Sequence, residues 1–173
     1  MIALLDHLGI ESIKGVGISG GGNVLPHMAT KQPERVKEMV LVSATPYFPE
    51  QARRIMRSYG EQLPSQELGR LRKMHSGGDA QVKALIECAT GFAESHDDLN
   101  FTPPHLATVK ARTLIVQGDC DPLCPVELSV EMYRAIPQSS LWIVPGSGHG
   151  PVFGERWSEF VKTATAFLVS SRK

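Results

Sequence analysis

The chain alternates between two kinds of apolar pattern. Ile2, Leu5 and Leu8 recur at helical spacing and stop at Gly9, which predicts a short first helix. Residues 12–18 (SIKGVGI) form a short β-prone run. Gly20, Gly21 and Gly22 follow, and then a helical pattern to about Thr30. Pro26 lies inside that pattern and has no N–H, so a kink or a delayed helix start is expected. Residues 37–44 (KEMVLVSA) are more continuously apolar and predict a buried parallel strand. Residues 113–117 (TLIVQ) and 140–144 (SLWIV) predict two further strands. A helix over 126–136 is expected between them, with Pro125 suited to its first turn. The last helix carries Trp157, Phe160, Val161, Ala164, Phe167 and Leu168, a stripe that belongs against a core.

Residues 46–110 differ in character. Ala52, Ile55, Met56 and Tyr59 have helical spacing, as do Leu68, Leu71 and Met74. Val82, Leu85, Ile86, Ala89 and Phe92 make the clearest stripe of this section. Gly60, Gly69, Gly77 and Gly78 punctuate these runs, and Pro103-Pro104 closes them. The section reads as a helical cap inserted between two strands, so that 1–45 and 111–173 form a core and 46–110 the insertion. Strands alternating with helices predict an α/β fold, a parallel sheet with flanking helices.

Composition narrows the function classes. The 173 residues suit one domain. Lys and Arg total 18 and so do Asp and Glu, so the chain is formally neutral. It lacks the basic footprint of a nucleic-acid binder. No apolar run approaches the roughly 20 residues of a membrane-spanning helix. The first ten residues carry Asp6 and His7 and no basic leader, unlike a signal peptide. A cytoplasmic protein with no membrane partner is expected. Cys88, Cys120 and Cys124 are odd in number, which argues against a disulfide scaffold. The Cys120/Cys124 spacing is not completed by a second Cys/His pair, so no metal and no cofactor is expected.

The chemistry concentrates at three points. Gly17-Ile18-Ser19-Gly20-Gly21 is a G-x-S-x-G pattern between a predicted strand and a predicted helix. A serine on such a sharp turn projects its Oγ from the sheet, and the flanking glycines avoid clashes with strand and helix. Gly118-Asp119-Cys120-Asp121-Pro122 follows the next-to-last strand. Gly146-Ser147-Gly148-His149-Gly150 follows the last. All three points lie at carboxyl ends of strands, where open α/β sheets place their sites.

In these motifs and in their chain order, Ser, Asp, His, the sequence resembles the α/β-hydrolases over nearly its whole length. The resemblance implies Ser19 as nucleophile, His149 as general base and acid, Asp121 as the carboxylate that orients His149, and the Gly20 N–H as an oxyanion donor. Asp119 is the rival acid, with a turn-forming role as its alternative. The implied activity is hydrolysis of small carboxylic esters through an acyl-enzyme. Thioester, amide, lactone and C–C cleavage and perhydrolysis stay open, because one triad serves them all.

Two departures from the family shape further expectations. Gly20 follows Ser19 where many relatives carry a larger residue. The sequence also begins at the helix before the elbow strand, so the family's earlier strands, and the second oxyanion donor they bring, are expected to be missing. Loss of one such donor costs about 10²–10³ in rate. The alternative reading is therefore a truncated, weakly active or inactive hydrolase core that self-associates. The strand over 12–18 would then be an open edge, and a homo-oligomer through it is expected.

Overall fold

The computed structural model of the protein describes residues 1–61 and 63–170. Four strands, β1 (Ile13–Ile18), β2 (Val36–Val42), β3 (Arg112–Gly118) and β4 (Ser139–Val144), form one sheet in the order β1-β2-β3-β4, every pair parallel. The fold is the α/β architecture that the alternation of patterns requires. The second strand ends at Val42, two residues short of the expected 37–44 run. Ser43 leaves the sheet at a φ of 49°, which no continuing strand can adopt.

The helices are α1 (Ile2–His7), α2 (Gly20–Lys31), α3 (Glu50–Glu61), α4 (Ser65–Met74), α5 (Gly78–Gly91), α6 (Pro103–Leu106), α7 (Val126–Ala135) and α8 (Trp157–Val169). Helix α2 starts at Gly20 and runs through Pro26, so the delayed start does not occur. Burial of Leu25, Pro26, Met28 and Ala29 outweighs the one hydrogen bond that proline forfeits. Pro125 is the N-cap of α7 rather than a residue of its first turn. Gly9 does end the first helix region at a φ of 66°, but only Leu5 of the expected stripe is buried, and Leu8 is exposed.

The chain divides into two compact units, 1–46 with 101–173, and 47–100. In the first, alternate strand residues face opposite sides of the sheet. Val40, Val42, Leu114, Val116 and Val144 share one side and pack with Phe160 and Ala164 of α8. Met39, Leu41, Ile115 and Gln117 occupy the other side and are almost wholly buried. Helix α2 lies on β1 and β2, and α7 on β3 and β4.

The second unit holds α3, α4 and α5. A bridge between Tyr47 and Asn100 joins its two ends. Its polar anchor is Arg53, only 4% exposed, which donates to the carbonyls of Phe48, Ala93 and Ser95 at 3.0, 2.8 and 2.7 Å. The stripe on α5 is less buried than its spacing suggests: Val82 is buried, whereas Leu85 and Phe92 are exposed. Residues 101–110, including α6, pack with the first unit. Among the described residues no helix is long and apolar enough to cross a membrane.

Candidate active site

Strand β1 delivers Ser19 to the turn before α2. The Ser19 N–H still continues the sheet ladder, donating to the Val42 carbonyl at 2.8 Å. Its φ of 53° and ψ of −120° lie outside the regions open to most L-residues, a strained conformation held by its surroundings. Close approach of strand and helix makes glycine necessary at Gly17, where a Cβ would run into the backbone of Gly21. The partner position is not the pattern's second glycine. A Cβ on Gly21 would meet nothing within 4 Å, whereas one on Gly22 would lie 2.9 Å from the Ala44 Cβ and 3.1 Å from the Gly17 carbonyl oxygen. Gly20 and Gly21 are sterically free, and their N–H groups belong to the first turn of α2, where a helix has no internal acceptors for them.

Strand β3 ends in Gly118, and the chain turns into the loop carrying both candidate acids. A Cβ on Gly118 would collide with the carbonyls of Ser147 and Gly148, so glycine lets this strand end lie against the histidine loop. Asp119 is exposed and accepts the Ser147 N–H at 3.2 Å. Desolvation works to raise its pKa, but donors led by that N–H hold its carboxyl below the ordinary range.

Asp121 is buried and has a different set of partners. Oδ1 accepts the N–H groups of Leu123 and Cys124 at 2.8 and 3.0 Å. Oδ2 accepts the Gln117 amide at 2.9 Å and lies 2.8 Å from His149 Nδ1. Burial raises the pKa of this carboxyl. The bonds from His149, Cys124, Gln117 and Leu123 outweigh that effect and bring it below the usual value.

An ionised carboxylate only accepts hydrogen bonds, so Nδ1 of His149 carries the proton that meets Asp121. His149 Nε2 is then left as an acceptor, 2.9 Å from Ser19 Oγ. The three residues thus form a continuous chain, Ser19 O–H to His149 to Asp121. The structure brings together Ser19, His149 and Asp121, with Gly20 beside Ser19, and leaves Asp119 on the backbone of the histidine loop.

Asp121, Cys124 and His149 also present one potential metal-ligand atom each within 4.8 Å of one another. The donor chemistry disfavours an ion there. Burial, followed by the Asp121 charge, pushes the Cys124 thiol up to about 12, and both Asp121 oxygens are already engaged by four donors.

Gln117 was not among the residues expected here. It is fully buried, and its Nε2 also donates to the Cys124 carbonyl at 2.8 Å, tying strand, acid and loop together. The available signal was a lone amide ending the apolar run TLIVQ, four residues before Asp121.

A family profile described as "Alpha/beta hydrolase family" matches residues 2–163. The chain is 27% identical to 2-hydroxymuconate semialdehyde hydrolase of Pseudomonas putida, with 98% of this chain and 67% of that protein covered. It is also 27% identical to a pimeloyl-[acyl-carrier protein] methyl ester esterase of Vibrio vulnificus, with 88% of this chain and 68% of that protein covered. Among solved structures, an alpha/beta hydrolase enzyme from a Medee basin deep-sea metagenome library superposes with a TM-score of 0.77 at 20% identity, covering 99% of this chain and 70% of that one. The chain therefore spans about two thirds of the length of these relatives. With its parallel sheet and a profile match over nearly its full length, the chain belongs to the alpha/beta hydrolase family.

Proposed function

We propose that this chain is a serine hydrolase that cleaves small carboxylic esters through an acyl-enzyme intermediate. One observation carries the reading: Ser19 Oγ, His149 and the Asp121 carboxylate are linked by contacts of 2.9 and 2.8 Å at three strand ends. The fold family is one of hydrolases, and a methyl ester esterase among the relatives favours esters.

The mechanism follows from the protonation states. A serine hydroxyl is a weak nucleophile until a base accepts its proton. His149 Nε2 takes that proton as Ser19 Oγ bonds to the ester carbonyl carbon. Asp121 stabilises the imidazolium without itself being protonated. The oxyanion that forms accepts the N–H of Gly20, which is exposed beside Ser19 at the start of α2. His149 then returns its proton to the leaving alkoxide, and the alcohol departs. Water, deprotonated by the same nitrogen, attacks the acyl-enzyme and releases the acid. Every proton in this cycle moves through His149, and the residues need no metal or organic cofactor.

The test is turnover of p-nitrophenyl acetate and butyrate by wild type and Ser19→Ala, with and without EDTA. The expected result is saturable hydrolysis, indifferent to EDTA and reduced to background in Ser19→Ala. Activity retained in Ser19→Ala, or abolished by EDTA and restored by zinc, contradicts the reading.

A further inference from the structure

Ser19 and Ser43 are the two non-glycine residues with positive φ among the described residues, at 53° and 49°. They stand at one level of the sheet, because Ile18 and Val42 are register partners and each serine is the next residue along its strand. Strain at Ser19 follows from the sharp turn it occupies. Strain at Ser43 has no such account, and a non-glycine residue persists in that conformation only where its surroundings over-determine it.

The contacts of Ser43 supply the reason. The residue is 1% exposed, and its N–H extends the ladder to the Val116 carbonyl at 3.0 Å. Its Oγ accepts the N–H of Gly150, the residue after His149, at 3.1 Å. Its carbonyl accepts the Cys124 thiol at 3.4 Å, in the loop whose backbone binds Asp121. The preceding Val42 carbonyl accepts the N–H of Ser19. Two consecutive residues at the end of β2 therefore bond to the elbow, the acid loop and the histidine loop. Gly150 has a φ of 83° and lies in a loop with Gly146 and Gly148, which offers little conformational restraint of its own.

We infer that Ser43 is a positioning residue: its hydroxyl fixes the histidine loop through Gly150 and thereby sets the distance from His149 to Ser19. This rests on the serine-hydrolase reading above. The hydroxyl touches none of the three reacting residues, so its effect on the reaction comes through the loop. Placement errors of this kind reduce the rate of the chemical step more than substrate binding.

The pair Ser43→Gly and Ser43→Ala separates the hydroxyl from the backbone strain. Glycine adopts the positive φ freely, whereas alanine keeps the strain, and both lack Oγ. Two measurements decide. The first is the rate of phosphonylation by a fluorophosphonate probe, together with kcat and KM on p-nitrophenyl acetate. Both variants are expected to lose about tenfold in labelling rate and kcat, with KM within about twofold of wild type. The second is amide hydrogen exchange at Gly150, expected to accelerate about tenfold in both variants. Ser43→Gly that labels and turns over like wild type, or unchanged exchange at Gly150, overturns the inference. Faster Gly150 exchange in a protein whose wild type never labels supports the loop contact while rejecting the serine-hydrolase reading, so the two failures are distinguishable.

Discussion

Asp119 and Asp121 stand two residues apart and differ in burial and in the partner each carboxylate holds. Asp121 is buried against His149 Nδ1, and Asp119 is exposed on a backbone N–H. In an ester-hydrolysis assay, Asp121→Asn is expected to lower kcat by about 10⁴, because the neutral amide no longer fixes the imidazole tautomer. Asp119→Asn is expected to stay within about tenfold of wild type, since an amide oxygen still accepts the Ser147 N–H. Equal losses in the two variants would contradict the assignment. A depressed carboxyl pKa also links to stability. The stabilisation from Asp121 is fully present above the ordinary carboxyl value of about 3.9 and is lost as pH falls through its lower folded value. Melting temperature measured from pH 6 downward, over the range below about pH 4, is expected to fall more steeply in wild type than in Asp121→Asn. Parallel profiles would remove this role. Asp121 was preferred to Asp119 only through the family resemblance, while the motifs holding Ser19, Asp121 and His149 were legible in the sequence because each follows an apolar run. Ser43 and Gln117 were not, because their roles depend on what folding brings beside them: Ser43 and Gly150 are 107 residues apart.

At the scale of elements, the four strands and the helices α1, α2, α7 and α8 of the first unit were legible from periodicity, the short α6 was not, and their ends were decided by chemistry that periodicity does not carry. The run 37–44 shows no turn signal after Val42, yet β2 stops there because Ser43 is needed in another conformation. Pro26 argued for a kink or a delayed start, and the buried face of α2 overrode the delay. The helices of 47–100 were legible as amphipathic segments. Their anchor, Arg53, was not, since an arginine in a polar helix stretch gives no sign that it will be buried with four carbonyls around it. Arg53→Met keeps much of the side-chain volume and removes every donor. It is expected to destabilise the unit by about 3 kcal/mol, read as an earlier transition in urea unfolding followed by far-UV circular dichroism. A shift below about 0.5 kcal/mol, the usual size for a surface substitution, would show that these bonds carry little.

For the whole molecule, the sheet order β1-β2-β3-β4 leaves β1 paired on one side only among the described residues. The Ser19 N–H points to β2, so alternation along the strand turns the N–H of Val16, three residues earlier, to the open side. Val16 is also 48% exposed, and Lys14 is the one charge on this short strand. Such an edge favours pairing with a second copy, and two of them related by a two-fold axis would join antiparallel into an eight-stranded sheet. Light scattering coupled to size exclusion, at about ten to a hundred micromolar protein, is expected to give a dimer that Val16→Pro dissociates, since proline removes the outward donor and is tolerated on an edge strand. A monomer over the whole range contradicts this proposal. The central claim is the linked set Ser19, His149 and Asp121 acting as a nucleophile, and covalent labelling tests it without knowledge of the substrate. Native protein treated with a fluorophosphonate probe and digested for mass spectrometry is expected to carry the adduct on Ser19, with labelling abolished in Ser19→Ala and strongly reduced in His149→Ala. An adduct that persists in Ser19→Ala, or a folded wild type that takes up none, would contradict it.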